Sequence, residues 1–111
     1  MTVRGAGIFG LACAWEMARR GARVRVIDPG GPGAGASGGV VGALSPHVPE
    51  AWSPLKQLQL DALLGAEAYW ADIAQAGGRD PGYARTGRLQ PIPDEAAQAR
   101  AEARAEGAAR Q

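Results

Sequence analysis

Three glycines and an aspartate near the N-terminus have the residue types and the spacing of a phosphate-binding turn. Residues 5–10 have the sequence G-A-G-I-F-G, which fits the pattern G-x-G-x-x-G. Because glycine has no Cβ, Gly5 can make a tight turn, Gly7 lets a pyrophosphate approach the main chain, and Gly10 lets a helix pack closely on its strand. Asp28 follows Gly10 by 18 residues, close to the roughly 20 expected for an acid that hydrogen-bonds a ribose hydroxyl. The spacing therefore predicts binding of an adenine dinucleotide.

The segments around these residues are the ones that must position them. A short strand over Thr2–Arg4 precedes the glycines, a helix is predicted from about Ile8 to Arg20, and Arg23–Ile27 is predicted as a second strand. Gly21 is a natural C-cap for the helix. The N–H groups that open the helix would face the phosphates, and the helix dipole would favour their charge. Three spaced glycines are a weak signal in a chain with 17 glycines. The surrounding strand–turn–helix–strand order is what favours a βαβ unit over a glycine-rich turn in an unrelated fold.

Composition narrows the classes of function. The chain has 111 residues, including 17 glycines and 8 prolines, so a loop-rich domain with a modest core is expected. Its net charge of +1 gives no electrostatic case for nucleic acid or an anionic membrane, so no nucleic-acid partner is predicted. No apolar run approaches about 18 residues and the N-terminus has no signal-peptide pattern, so no transmembrane segment is predicted and a cytoplasmic protein is expected.

The single cysteine, Cys13, lies in the predicted helix among small apolar residues. It has no second cysteine for an internal disulfide and no neighbouring ligands for a metal site. We therefore predict a buried structural thiol and no metal.

A second glycine-rich segment, residues 29–39, has the sequence P-G-G-P-G-A-G-A-S-G-G. A flexible linker is the simplest interpretation. However, this segment runs directly into residues 40–46, a small-residue and apolar stretch that can pack. A second glycine turn close to the first could give a dinucleotide further main-chain donors and the hydroxyl of Ser37.

The second half of the chain is predicted to be mainly helical. The Ser-Pro pair at 53–54 predicts the start of one amphipathic helix of about six turns, which the glycines at 77–78 end. The alternation of polar and apolar residues over Arg88–Ile92 predicts a short edge strand. Asp94 is predicted to N-cap a last helix that runs to Arg110.

The N-terminal 46 residues resemble a known family. The run from Gly5 to Asp28, G-A-G-I-F-G-L-A-C-A-W-E-M-A-R-R-G-A-R-V-R-V-I-D, is similar to the start of the FAD-dependent amine and amino-acid oxidoreductases. That group includes glycine and sarcosine oxidases and D-amino-acid oxidases and dehydrogenases. Gly-Ala-Ser at 35–37, leading to G-A-L-S-P at 42–46, resembles the family's second flavin-binding loop. The chain also resembles the oxidase half of the bifunctional enzyme that modifies the wobble uridine of tRNA. The resemblance covers most of residues 2–92.

The resemblance implies FAD as the cofactor and assigns its contacts. Asp28 would hold the adenosine ribose, although many relatives carry the longer glutamate there. Ser37 would contact phosphate. The residues implied to face the pyrophosphate are Gly5, Gly7, Ile8, Phe9 and Gly10, and those implied to run beside the ribityl chain and flavin ring are Gly42, Ala43 and Leu44. Arg4 departs from the family pattern, because relatives have an apolar residue there and a guanidinium in a strand buried on both faces would be costly.

The predicted fold class is α/β, a partial Rossmann-like FAD-binding βαβ unit followed by a long helix and the start of a substrate domain. We assign residues 1–50 to the FAD-binding unit with its second flavin loop, 51–78 to the connecting helix, and 79–111 to the start of an incomplete substrate domain. A Rossmann sheet needs several parallel strands, and only two can be assigned here. The chain is therefore interpreted as the N-terminal part of an enzyme, incomplete and inactive alone, which a second chain could complete.

The resemblance also implies the reaction. Such enzymes act on CH–NH groups: hydride leaves the α-carbon of a small amine or amino acid for the flavin, and the imine is then hydrolysed. No residue is assigned as catalytic, and His47 is interpreted as a polar loop residue rather than a flavin contact. Two alternatives stay open. One is an NAD-binding Rossmann module, against which the loop at 35–46 argues, and the other is a non-catalytic truncated remnant.

Overall fold

The computed structural model describes residues 1–110. Its elements, in chain order, are β1 (Thr2–Arg4), α1 (Ile8–Arg19), β2 (Arg25–Ile27), a 3₁₀ turn (Ala36–Gly38), α2 (Pro54–Leu64), α3 (Ala66–Gly77) and α4 (Glu95–Ala108). The chain divides into two compact units, Met1–Ala43 and a second unit that begins at Leu44. The α/β class and the two-stranded parallel sheet are as predicted. The domain boundaries predicted at residues 50 and 78 stay predictions.

The first unit is a βαβ arrangement. β1 and β2 pair in parallel, with Val3 opposite Val26, and the Gly5 N–H extends the ladder by donating to the Ile27 carbonyl at 2.8 Å. Between the strands, α1 ends in a Schellman motif: the Ala22 N–H donates to the Met17 carbonyl at 3.0 Å. This motif confirms the predicted end of the helix, and it occupies the residues just before β2. The second strand begins at Arg25 and is two residues shorter than the predicted Arg23–Ile27.

The motif depends on Gly21, whose φ of +83° lies in the left-handed region that favours glycine. The Gly21 N–H donates to the Ala18 carbonyl at 2.9 Å. Gly21 is thus the C-terminal stop that the sequence predicts.

The sheet has one covered face. A Cβ built on Gly10 of α1 would lie 3.4 Å from the Cγ1 of Val3, so Val3 faces the helix. Because side chains alternate along a strand, Arg4 faces the other way, and its side chain is exposed. The burial cost expected for Arg4 does not arise in this unit, because the side chain is exposed.

The core of the described residues is small. The hydrophobic residues that are buried there are Ala6, Ala14 and Ala66, and each alanine removes little apolar surface from water. Cys13, by contrast, is exposed. The prediction of a buried thiol is wrong, because α1 is covered by the sheet on one side only and Cys13 lies outside that contact.

The helix predicted over residues 54–77 is two helices. The start is as predicted, with Pro54 in the first turn and the Ser53 side chain accepting the Lys56 N–H. The helix then breaks at Gly65, which serves as C-cap of α2 and N-cap of α3. The prediction of one continuous helix is wrong, because Gly65 has the weak helix propensity of glycine and no side chain with which to pack. The predicted stop is correct, with Gly78 in the left-handed conformation at φ 63°.

The edge strand predicted over Arg88–Ile92 does not form; the structure has no regular element between α3 and α4. A short alternating segment needs a partner strand, and in the described chain it finds none, so Leu89 is fully exposed. α4 begins as predicted, because the Asp94 carboxylate accepts the Ala97 N–H at 2.7 Å. It ends two residues before the predicted Arg110.

α4 is held to the loop that precedes α2, in the same unit. The Arg104 Nε lies 2.7 Å from the Glu50 carboxylate, and this hydrogen bond holds the pKa of Glu50 below its ordinary value of 4.5. Gly107 packs so closely that a Cβ on it would lie 3.0 Å from the Cγ of Pro49. Among residues 1–110, no helix is long and apolar enough to cross a bilayer.

Candidate functional site

The first turn has the backbone geometry that its three glycines predict. Gly5 has a φ of +104°, a conformation that L side chains rarely adopt. A Cβ on Gly10 would lie 2.0 Å from the Gly5 carbonyl oxygen, which no real side chain tolerates. The first glycine therefore turns the chain out of β1, and the last lets α1 begin directly against that turn.

The Asp28 carboxylate lies at the mouth of this turn. Its Oδ2 accepts the Ala6 N–H at 2.8 Å, and its Oδ1 accepts the Gly30 N–H at 2.8 Å. One acid thus connects the end of β2 to both glycine-rich segments. The Ala6 N–H, followed by the Gly30 N–H, holds the pKa of Asp28 below its ordinary value of 3.8, because both bonds favour the carboxylate. Each oxygen keeps a lone pair that a ribose hydroxyl could use.

The second glycine-rich segment meets the same turn. The Ser37 Oγ accepts the Ile8 N–H at 2.9 Å, and a Cβ on Gly7 would lie 3.0 Å from that oxygen. The Gly33 N–H also donates to the Ala6 carbonyl at 2.9 Å. Ser37 is therefore held against Ile8, the first residue of α1, although 29 positions separate the two in the chain. The interpretation of residues 29–39 as a flexible linker does not hold.

The start of α1 retains unused donors. The helix has no side-chain cap from its own N-cap residue and no acid in its first turn. Within residues 1–110, the N–H groups of Gly7, Phe9 and Gly10 have no acceptor, whereas the Ile8 N–H has the Ser37 oxygen. Free N–H groups at a helix start attract anions, since the helix dipole adds positive charge there. The unpaired N–H groups at the start of α1 are therefore a candidate anion site.

The structure brings together seven of the ten predicted site residues: Gly5, Gly7, Ile8, Phe9, Gly10, Asp28 and Ser37. Phe9 lies on the first turn of α1 with its side chain 87% exposed, so only its N–H faces the turn. Gly42 and Ala43 lie in an irregular exposed segment with no hydrogen bond to the first turn in the described structure. Leu44 begins the second unit and is exposed, as is His47.

Sequence reasoning missed the main-chain partners that orient Asp28. Ala6 and Gly30 contribute only N–H groups, which have no residue-type signal of their own. The Asp-Pro-Gly sequence at 28–30 does carry a signal, because an aspartate often accepts the N–H two residues ahead in an Asx-turn. The bond to Ala6 has no such local signal, since it joins residues 22 positions apart.

Comparison with known proteins assigns the chain to a family. The model of the family described as FAD dependent oxidoreductase matches residues 1–111. No solved structure gives a significant match.

The curated relatives are all named tRNA 5-methylaminomethyl-2-thiouridine biosynthesis bifunctional protein MnmC. The protein of Acinetobacter baylyi is 52% identical over 46 residues, 41% of this chain and 7% of its own length. That of Polaromonas naphthalenivorans is 42% identical over 80 residues, 62% of this chain and 13% of its own. That of a Psychrobacter species is 35% identical over 75 residues, 68% of this chain and 10% of its own. The chain therefore spans a small part of the relatives that it matches.

Proposed function

Because the chain belongs to the family of FAD-dependent oxidoreductases, we propose that it is the FAD-binding portion of an enzyme that oxidises a carbon–nitrogen bond. The observation that carries the proposal is the meeting of an acid and free N–H groups at one turn. The Asp28 carboxylate accepts the Ala6 N–H of the first turn, and the N–H groups of Gly7, Phe9 and Gly10 at the same turn and the start of α1 are unpaired within residues 1–110.

The residues present fit FAD in named roles. The N–H groups at the start of α1 hold the pyrophosphate, and the close approach of Gly7 keeps that surface free of side-chain bulk. Asp28 uses its remaining lone pairs for the adenosine ribose. The Ser37 hydroxyl contacts a phosphate oxygen with its proton while its oxygen accepts the Ile8 N–H. We propose that Gly42, Ala43 and Leu44 run beside the ribityl chain and flavin ring, on the strength of the sequence resemblance.

The chemistry that FAD supplies in such a site is acceptance of a hydride from the carbon next to the substrate nitrogen. The described residues bind and orient the cofactor, and none of them is assigned as an acid or base. The name of the relatives, a tRNA 5-methylaminomethyl-2-thiouridine biosynthesis protein, favours an aminomethyl group on a tRNA uridine as the substrate. A free amine or amino acid is the second candidate, because the first turn and Asp28 bind the cofactor and do not distinguish the two. A tRNA substrate agrees with the predicted cytoplasmic location.

We also propose that the chain is incomplete as a catalyst. Its buried hydrophobic residues in the described region are three alanines, while Val40, Val41 and Leu89 are almost fully exposed. Large exposed apolar side chains in such numbers are typical of surfaces that another part of a protein covers. A second chain that completes the fold is one way to cover them, and a non-catalytic remnant is the alternative.

A titration tests the cofactor assignment. Flavin fluorescence of free FAD is followed as the 111-residue chain is added, and NADH is then added as a competitor. We expect weak, saturable quenching by the chain, little reversal by NADH and no turnover of amines. Reversal by equimolar NADH would favour the NAD-binding alternative. Tight, stoichiometric retention of FAD would contradict the proposal that the chain is incomplete. An absence of quenching at every concentration would contradict the proposal that the first turn and Asp28 bind FAD.

A further inference from the structure

Positive charge is unevenly distributed between the two units. Residues 1–43 contain five arginines and two acidic residues, a side-chain charge of +3, whereas residues 44–111 contain seven basic and nine acidic residues, a charge of −2. The total of +1 conceals this difference. A sign asymmetry between parts of a chain favours an anionic partner for the basic part.

Four of the five arginines lie within seven residues, Arg19, Arg20, Arg23 and Arg25, which we call the arginine turn (residues 19–25). It joins the C-terminal end of α1 to the start of β2, and all four side chains are exposed. α1 has 12 residues, so at about 1.5 Å per residue the arginine turn lies about 18 Å from the phosphate-binding end of the helix. It is therefore separate from the cofactor site.

Structural roles account for part of this charge only. Arg19 and Arg20 lie at the end of α1, where the helix dipole favours cations, and they approach Glu16 at 3.6 and 3.9 Å. Arg23 and Arg25 lie beyond the helix and have no ion pair among residues 1–110. Arg25 also projects from the face of the sheet opposite α1, since it is the register partner of Thr2. Two of the four arginines therefore have no acidic partner among residues 1–110, which leaves their guanidinium groups available to an anionic partner.

We propose that the arginine turn contacts the phosphate backbone of a structured RNA, the substrate to which the site is directed. This inference rests on the proposed function, in which the substrate carries its reactive group on a tRNA base. A base that reaches a flavin must leave its stack, while the adjoining stem stays outside the pocket. Phosphates of that stem would extend away from the site, and guanidinium groups about 18 Å from the cofactor end are placed to bind them.

The proposal departs from the expectation that the chain binds no nucleic acid, which was drawn from the summed charge. An acidic protein surface is the competing partner. RNA is favoured because the relatives are named for a tRNA modification, and because arginines spaced over a turn can contact successive phosphates.

The test compares two double variants of the 111-residue chain with equal net charge. In the first, Arg20→Gln and Arg23→Gln neutralise the arginine turn. In the control, Arg79→Gln and Arg88→Gln remove the same charge from an exposed loop of the second unit. The probe is a fluorescently labelled RNA hairpin with an anticodon stem-loop sequence, and its anisotropy is measured over a range of salt concentrations.

We expect the first variant to bind roughly 25- to 60-fold more weakly at about 0.1 M salt, because each lost phosphate contact removes about 0.7 to 0.9 from the salt slope. The control should keep the wild-type affinity and slope. Equal losses in both variants, or no loss in either, would overturn the proposal. Polyglutamate and unlabelled hairpin are also compared as competitors of the labelled hairpin. If polyglutamate competes at the same concentration of negative charge as the hairpin, the RNA proposal is overturned in favour of an acidic protein partner.

FAD titration of the same variants separates this inference from the proposed function. Both variants should quench FAD as the wild type does, since neither changes the first turn or Asp28. If the wild type fails to bind FAD while its RNA binding depends on the arginine turn, the cofactor proposal is wrong and the proposal that the arginine turn binds RNA is supported. If FAD binds and the two variants bind RNA equally, the proposal that the arginine turn binds RNA is wrong and the cofactor proposal is supported.

Discussion

The Asp28 carboxylate accepts the Ala6 N–H at 2.8 Å across 22 residues of sequence. The chain contains a matched local motif without this contact. Asp80-Pro81-Gly82 repeats the Asp-Pro-Gly sequence of residues 28–30, and its carboxylate likewise accepts the N–H two residues ahead at 2.8 Å. The two aspartates therefore share an Asx-turn and differ in the bond to the first glycine turn. That bond is what makes Asp28 part of a site.

Asp28→Asn should weaken FAD binding by roughly tenfold or more, because an amide replaces one of two acceptor oxygens and removes the charge that strengthens both bonds. Fluorescence titration of FAD measures the effect. Asp80→Asn is the control, since it makes the same chemical change in the same type of turn, and it should bind FAD as the wild type does. Equal weakening by both variants would show that the loss comes from the turns in general and not from the Ala6 contact.

The same carboxylate predicts how the first unit responds to acid. The pKa of Asp28 is lowered in the folded chain, chiefly by the Ala6 N–H, so its contribution to stability is present above the unfolded value of 3.8. It is lost as the pH falls through the lower folded value. We expect wild-type ellipticity in the far ultraviolet to fall below pH 3.8. Asp28→Asn should lack that component and keep the part due to Glu50. Identical acid profiles would contradict this assignment.

The first turn and its helix could be predicted from the sequence because their determinants are local. The glycines at 5, 7 and 10 fix the turn by lacking a Cβ, and Gly21 ends the helix by taking a positive φ. The bond between Ser37 and Ile8 was not predictable as geometry, since it depends on how residues 29–36 fold back over 29 positions of chain. Sequence likeness marked Ser37 as a phosphate contact, and the structure adds its hydrogen bond to the start of the helix.

Gly10→Ala should weaken FAD binding by roughly 5- to 140-fold. The new Cβ would lie 2.0 Å from the Gly5 carbonyl oxygen, a backbone atom that cannot move away without shifting α1 from the turn. Overpacking of this kind costs about 1–3 kcal/mol, and about 1.4 kcal/mol is a tenfold change in affinity. Gly77→Ala is the control, because its Cβ would meet nothing within 4 Å and the residue lies outside the predicted site. FAD titration distinguishes them, and wild-type binding by Gly10→Ala would contradict the packing described here.

The predictions that failed did so where tertiary context decides the outcome. The alternation over Arg88–Ile92 is strand-like, yet a strand forms only with a partner, and the described chain supplies none beside it. Arg4 was expected to be costly because family strands are buried on both faces. In this unit, helix α1 covers only the Val3 face, so the guanidinium reaches solvent. The strand-like pattern of residues 88–92 therefore failed for lack of a partner strand, whereas Arg4 avoids the cost of burial because its side chain is exposed.

At the break between α2 and α3, a substitution is expected to increase helical structure, whereas the substitutions above are expected to weaken binding. Gly65 has φ −80° and ψ −7°, which alanine adopts without strain, and a Cβ there would make ordinary contacts at 3.6 and 3.8 Å. The backbone groups of Gly65 itself make helical hydrogen bonds. Its N–H donates to the Asp61 carbonyl, and its carbonyl accepts the Tyr69 N–H, both at 3.1 Å. Alanine is favoured over glycine by about 1 kcal/mol in a helix interior. Gly65→Ala should therefore join the two helices and raise the far-ultraviolet ellipticity.

The matched control for this change is Gly78→Ala. Gly78 ends α3 in the left-handed conformation, at φ 63°, where an L side chain costs about 1–2 kcal/mol. The same Gly-to-Ala change should therefore lower helicity at residue 78 while it raises helicity at residue 65. A rise in both variants would mean that the added propensity of alanine acts through the unfolded chain and not through these two backbone conformations. A fall in Gly65→Ala would mean that the break at Gly65 is required by the packing of α2 on α3.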